Sequence, residues 1–92
     1  MATIQISYDL NQPGRDYGPL IARIKELGSQ TWCKALESHW FIKSNATPEA
    51  VRDDLLRFID QSSRLLVMDA SGDPAAWYGL PKEVSDWLLA NL

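Results

Sequence analysis

The sequence is short of the residues from which many metal, redox and disulfide sites are built. Its 92 residues contain one cysteine, Cys33, and one histidine, His39. A single cysteine cannot form an internal disulfide or a CxxC motif. A single histidine has no second histidine to share acid–base chemistry. These shortages exclude disulfide-stabilised small domains and proteins with CxxC metal or redox motifs.

Positive charge and long apolar runs are also scarce. Nine Lys and Arg residues against twelve Asp and Glu residues give a net charge of −3, so no overall field attracts nucleic acid. A nucleic-acid role would need a local basic patch, such as one built by dimerisation. No apolar run approaches the length of about 18 residues that a membrane span needs, and no signal peptide is recognisable. We therefore expect a soluble, cytoplasmic protein that does not enter a membrane.

What the sequence does contain is an ordinary globular composition with many tryptophans. Apolar residues make up 46% and charged residues 23% of the chain, which argues against disorder. The length predicts one domain over residues 1–92. Four tryptophans in so small a chain indicate either a tight core or an interface.

The first strand is predicted at 4–10, where Ile4, Ile6, Tyr8 and Leu10 alternate with polar residues. Because alternate residues point to opposite faces of a strand, Asp9 should point away from the apolar side. A first helix is predicted from an N-cap at Asp16 to about 27, with Gly28 as its stop.

Six further elements are predicted along the rest of the chain. Residues 32–36 and 39–43 are expected to pair as a hairpin, or to form one bent strand. Thr47 and Pro48 begin a second helix, whose apolar stripe extends to residue 59. A strand covered on both faces is predicted at 64–69. A short edge strand at 75–80 and a helix from Pro81 complete the chain.

This order predicts an α+β fold, ferredoxin-like βαββαβ, with helices on one face of an antiparallel sheet and a short C-terminal strand and helix. The face opposite the two main helices would then need a cover. The C-terminal helix or a second copy of the chain would provide it, and we favour a symmetric homodimer.

Three short motifs resemble known families. Tyr8-Asp9-Leu10, Glu37-Ser38-His39-Trp40 and Thr47-Pro48-Glu49 are similar to the CRISPR-associated adaptation protein called Cas two and to the VapD-type toxin ribonucleases. A closer likeness is to small SinR-like bacterial proteins of obscure role, through Tyr8-Asp9-Leu10, Pro13-Gly14-Arg15-Asp16-Tyr17 and Leu36-Glu37-Ser38. The resemblance spans residues 3–70 and implies a ferredoxin-like homodimer.

The resemblance also implies a site at the end of the first strand. In the nuclease-like families the aspartate at this position binds a divalent metal and faces its symmetry mate across the dimer, and Asp9 occupies that place. These families also have a serine followed by an aliphatic and an aromatic residue, and Ser38-His39-Trp40 matches this pattern in part, with histidine in place of the aliphatic residue. The resemblance thus makes Asp9 a candidate catalytic residue and ligand of Mg²⁺ or Mn²⁺, and Ser38 a candidate catalytic residue.

Each candidate also has a simpler role. Asp9 would serve equally to cap the turn that follows it. Arg15 would bind phosphate of RNA or DNA, or lie solvated in a loop. The Ser38 hydroxyl would orient water or phosphate, or bond to backbone. We expect His39 to be an exposed strand histidine, Cys33 to pack in the interior, and Trp32, Trp40 and Trp77 to pack in the core or an interface.

Two functions therefore compete. The first is a homodimeric, metal-dependent endoribonuclease or nuclease with Asp9 as metal ligand. The second is a non-catalytic dimer that serves as an assembly module for another protein. A small-molecule regulatory domain ranks last, because the sequence has no glycine-rich ligand loop.

Overall fold

A computed structural model describes residues 1–10 and 17–92. Over these residues the chain forms four strands, three α-helices and one 3₁₀ turn. The strands are β1 (Ala2–Asp9), β2 (Trp32–Leu36), β3 (His39–Ser44) and β4 (Arg64–Asp69). The helices are α1 (Gly18–Leu27), α2 (Pro48–Leu55), which continues as the 3₁₀ turn Leu56–Phe58, and α3 (Lys82–Asn91).

The four strands form one antiparallel sheet in the order β2-β3-β1-β4. β1 is central and pairs antiparallel with both β3 and β4. β2 and β3 form the predicted hairpin around Glu37 and Ser38, and their register shifts between Lys34 and Leu36. An antiparallel sheet with three helices confirms the α+β class.

The core lies between α1, α2 and one face of the sheet. Ile4, Ile6 and Tyr8 of β1 are buried there, as their alternation predicts. Tyr8 also accepts a 3.0 Å hydrogen bond from Nε1 of Trp40, so both polar atoms are paired in the interior. The helices contribute buried Leu20, Ile24, Val51 and Leu55. We call this side of the sheet the first face.

The helix ends follow local chemistry. Thr47 caps α2 through a 3.1 Å bond from the Ala50 amide to its hydroxyl, as predicted. The apolar stripe expected to reach residue 59 is divided, because α2 ends at Leu55 and the 3₁₀ turn follows. The predicted N-cap of α1, Asp16, lies outside the described residues. Gly28 ends α1 with φ −81°, and a Cβ there would approach Ile42 Cγ2 to 3.1 Å, so a larger residue would have to displace the Ile42 side chain slightly.

The predicted edge strand at 75–80 is wrong, since this segment is irregular. Gly79 has φ +78°, a left-handed conformation that interrupts an extended run. The Trp77 indole donates instead to the Ser85 hydroxyl on α3, at 3.1 Å. The segment is thus joined to a helix rather than to a sheet edge.

α3 lies on the second face of the sheet and covers the β2–β3 side of it. Its Leu88 is buried, and the Trp87 ring lies 6.3 Å from that of Phe41. The Asn91 carbonyl accepts from the Thr3 hydroxyl and, at 3.1 Å, from Lys43 Nζ. We call this the covered half of the second face.

The β1–β4 side of the second face has no such cover within the described chain. Leu66 is 55% and Met68 46% exposed. We call this surface the open half; it consists of Gln5, Ser7, Asp9, Arg64, Leu66 and Met68. Of the two covers that the sequence allowed, the C-terminal helix therefore takes one half of the face. The predicted second copy has only the open half left to cover.

Candidate functional site on the open half of the sheet

Asp9 is the last residue of β1, and its side chain points away from the core as predicted. Tyr8 is buried and Asp9 is exposed, so the alternation holds to the end of the strand. Over the described residues the Asp9 carboxylate makes no hydrogen bond or ion pair. The turn that it was expected to cap, at 11–14, lies outside those residues. Asp9 is thus a carboxylate at the end of the central strand.

The surroundings of Asp9 form an open depression of about 260 Å³. It is lined by Ser7, Tyr8, Asp9, Arg64, Leu65 and Leu66. Arg64 is the residue directly opposite Asp9 in the β1–β4 register. The depression therefore combines a carboxylate, a guanidinium and a hydroxyl beside apolar surface.

Ser38 lies beside the same strand end, through its backbone. The Tyr8 amide donates to the Ser38 carbonyl at 3.1 Å, which holds the β2–β3 turn against β1. The Ser38 side chain is exposed, and its hydroxyl makes no hydrogen bond within the described part of the chain. The fold thus brings Ser38 and Asp9 to one end of the sheet. The expected bond from the hydroxyl to backbone is not formed within the described residues.

The cation at this site is Arg64, which sequence reasoning did not select. Arg15, the predicted phosphate ligand, lies outside the described residues. The sequence does show Arg64 at the start of a strand, but only the β1–β4 register places it opposite Asp9. A guanidinium can bind a phosphate through two parallel hydrogen bonds, so Arg64 offers the chemistry expected of Arg15.

One chain supplies too few ligands for a tight divalent cation here. No group of three or more His, Cys, Asp and Glu side chains comes together among residues 1–10 and 17–92. Mg²⁺ is usually held by one or two carboxylates together with waters and substrate phosphates. Asp9 provides one carboxylate, so the remaining ligands of such an ion would come from outside this group of residues.

His39 is not the exposed strand histidine that we expected. It is half-buried at the boundary between the covered and open halves, and its Nδ1 lies 3.2 Å from Ser7 Oγ. Its Nε2 is buried without a hydrogen-bond partner. Burial lowers the pKa of His39 below its ordinary value, since the charged form loses hydration. Burial therefore favours the neutral form of this side chain over the charged one.

The other candidates have the packing roles expected of them. Cys33 is buried under α3, and burial raises the pKa of its thiol to about 11. The Trp40 ring is in the core, 5.5 Å from the ring of Trp32. Trp77 is half-buried and bonded to Ser85.

Comparison of the chain with family models, with curated proteins and with solved structures gave no match. Among the described helices, none has the length and apolar character that crossing a membrane requires.

Proposed function

We propose that this protein is a homodimeric, metal-dependent nuclease with a ferredoxin-like fold, related to the Cas two, VapD-type and SinR-like proteins. Its substrate would be RNA or DNA. The observation that carries the proposal is the position of Asp9. It is an exposed carboxylate without a described partner, at the end of the central strand and on the open half of the second face.

The order of the elements supports the fold assignment. The chain runs β1-α1-β2-β3-α2-β4, and the sheet order β2-β3-β1-β4 places the first and third strands at its centre. α1 and α2 both bury their apolar residues in the core on the first face. Two βαβ units interleaved in this way are the ferredoxin-like arrangement.

The composition of the open half supports a symmetric dimer. Leu66 and Met68 place exposed apolar surface next to Asp9 and Arg64, whose charges are opposite. In a symmetric dimer the same patch of each copy forms the interface, so a residue of one copy can contact a different residue of the other copy, and the reverse. A patch that carries both a positive and a negative charge can therefore pair with a second copy of itself. A second copy is therefore the occupant that this surface suits.

The chemistry would depend on both copies. A divalent ion would polarise the phosphodiester and lower the pKa of a bound water. The Asp9 carboxylates of two chains would hold that ion, and Arg64 would bind a phosphate oxygen. Ser38, at the same end of the sheet, would orient the phosphate or the attacking water.

The test is cleavage of a labelled RNA by the purified dimer with Mg²⁺ or Mn²⁺. We expect Asp9→Asn to reduce the rate about 100-fold or more, the scale on which loss of one charge-stabilising group acts. Asp53→Asn is the matched control, because this carboxylate is exposed on α2, which packs on the first face of the sheet. Cleavage that survives Asp9→Asn in an intact dimer would contradict the assignment to Asp9.

The second candidate is a non-catalytic dimeric assembly module. It is favoured by the single carboxylate that each chain brings to the open half. This function predicts a stable dimer that cleaves neither RNA nor DNA with any divalent cation. It also predicts that a partner protein is retained on immobilised Asp9→Asn as well as on the unmodified chain.

A further inference from the structure

Ser7 brings a hydroxyl to the depression that contains Asp9 and Arg64. It lines that depression and is partly exposed. Because Ser7 lies two residues before Asp9 on β1, both side chains are on the second face of the sheet. Alternate residues of a strand are about 7 Å apart. One nucleotide of a bound strand is long enough to contact both side chains.

Two neighbouring side chains hold the Ser7 hydroxyl in place. His39 lies directly opposite Ser7 in the β1–β3 register, and its Nδ1 is 3.2 Å from Ser7 Oγ. The Gln5 amide nitrogen lies 3.5 Å from the same oxygen. The exposed Ser38 hydroxyl, by contrast, makes no hydrogen bond to the described residues. Of these two hydroxyls, Ser7 is therefore the one whose position is fixed before a substrate binds.

His39 is itself held by packing. Its ring lies 5.1 Å from that of Phe41, which in turn packs against Trp87 of α3. Its Nε2 is buried without a hydrogen-bond partner, so the contact with Ser7 is the one hydrogen bond that the ring makes to the described part of the chain. The imidazole is thus a packed group whose polar contact is directed to Ser7, as a positioning residue requires.

One hydrogen-bonding position of Ser7 stays open for a ligand. A serine hydroxyl donates one hydrogen bond and accepts two. Gln5 occupies one acceptor position, and a neutral His39 that carries its proton on Nδ1 occupies the other, which leaves the hydroxyl proton free to donate. With the imidazole proton on Nε2 instead, the hydroxyl donates to Nδ1 and one acceptor position is left open. The tautomer of His39 therefore determines which kind of group Ser7 can bind.

We propose that Ser7 is a substrate-contacting residue that donates to a phosphate oxygen of the bound nucleic acid, and that His39, with its proton on Nδ1, positions the Ser7 hydroxyl. This inference rests on the proposed function, because the ligand is the same nucleic acid. A phosphate oxygen only accepts, so its binding selects the Nδ1–H tautomer. The bonds then run in one direction, from Gln5 and His39 to Ser7 and from Ser7 to the phosphate, and each bond strengthens the next.

The experiment measures binding of a labelled single-stranded RNA by fluorescence anisotropy, with Ca²⁺ in place of Mg²⁺ so that binding is measured apart from cleavage. We expect Ser7→Ala to raise the dissociation constant about tenfold or more, the scale of a hydrogen bond to a charged group. Ser85→Ala is the matched control and should leave the dissociation constant unchanged. Ser85 is also half-buried and bonded to a ring nitrogen, Nε1 of Trp77, but on the covered half.

Variants of His39 separate positioning from packing. His39→Phe removes Nδ1 but keeps a ring, and should raise the dissociation constant as much as Ser7→Ala does. His39→Asn should restore most of the affinity, because asparagine places an amide group where the imidazole has Nδ1. A residue that acts only by packing would give the opposite order, since phenylalanine retains the ring. In the RNA complex, the ¹⁵N resonance of His39 Nδ1 should be that of a protonated ring nitrogen.

Binding and cleavage together distinguish this inference from the proposed function. RNA binding that weakens in Ser7→Ala, without cleavage by the unmodified chain, would support the inference and contradict the nuclease. Cleavage with RNA binding unchanged in Ser7→Ala would overturn the inference alone. Failure of the unmodified chain to bind RNA would overturn both. An unprotonated Nδ1 in the complex would also overturn the role of His39, whether or not His39→Phe folds.

Discussion

On the covered half of the second sheet face Leu88 is 3% exposed, whereas on the open half Leu66 is 55% exposed. Both halves belong to one sheet, and β1 contributes residues to each. The difference is that α3 packs over β2 and β3, whereas Leu66 and Met68 of β4 stay exposed. Substitutions on the covered half should therefore change the free energy of unfolding. Substitutions on the open half should change dimer association and the proposed nuclease activity. Four experiments test that division, and the one with the largest expected effect comes first.

Truncation on the covered half should reduce stability most. Leu88→Ala removes a buried side chain between α3 and the sheet, and we expect a loss of about 3 kcal/mol in the free energy of unfolding. Leu89→Ala is the matched control, because Leu89 is the next residue of the same helix and is 73% exposed. It should change the free energy by less than about 0.5 kcal/mol. Equal losses in urea denaturation would show that α3 does not pack as described.

A charge on the open half should act on association instead. Leu66→Lys would place a cation in the apolar part of the proposed interface, twice in a symmetric dimer. We expect the dimer dissociation constant to rise at least about 100-fold, since each buried leucine contributes about 1.5–3 kcal/mol. Leu56→Lys, on the 3₁₀ turn and 49% exposed, is the control. Analytical ultracentrifugation checks both, and a chain that is monomeric without any substitution would refute the dimer.

The rate at which Cys33 is alkylated reports whether α3 keeps the covered half of the sheet buried in solution. Because burial raises the pKa of this thiol to about 11, little thiolate is present at pH 8. We expect alkylation by iodoacetamide to be about 100-fold slower than for an unhindered cysteine. Leu88→Ala, which loosens α3, should accelerate it. Alkylation at the rate of a free thiol in the unmodified protein would mean that the covered half is open in solution.

His39, at the boundary of the two halves, should give the smallest effect. Its pKa is lowered in the folded protein by burial, so the unfolded chain binds a proton more readily. The contribution of neutral His39 to the free energy of unfolding is at its full value above the ordinary pKa of 6.5. This contribution becomes smaller as the pH falls below 6.5. Thermal unfolding of His39→Phe should lack this decline between pH 7 and 5. A decline of the same size in the variant would assign it to other groups.

The local features of the fold could be predicted from the sequence because they depend on neighbours in the chain. Alternation placed Asp9 on the face away from the core, and Thr47 with Pro48 fixed the start of α2. The hairpin around Glu37 and Ser38 was also anticipated. The segment 75–80 was misread because its apolar residues suit a strand, whereas Gly79 and the bond from Trp77 to Ser85 direct it to α3.

The candidate site could be predicted only in part. Asp9 was identified from its position at the end of β1 and from the resemblance, and the structure places Ser38 at the same end of the sheet. Arg64 was missed because its place opposite Asp9 depends on pairing between strands more than fifty residues apart in sequence. The state of His39 was missed for the same kind of reason, since its contact with Ser7 depends on the pairing of β1 with β3.

The sequence by itself determined the helices and the four strands of the sheet, the stripes that form the core and the exposure of Asp9, since periodicity and capping act over a few residues. Only the tertiary structure decided which half of the second face α3 covers, which cation lies beside Asp9 and which imidazole nitrogen of His39 is left unpaired. These features depend on strand register and helix docking, which join distant parts of the chain. No local pattern of residues specifies such contacts.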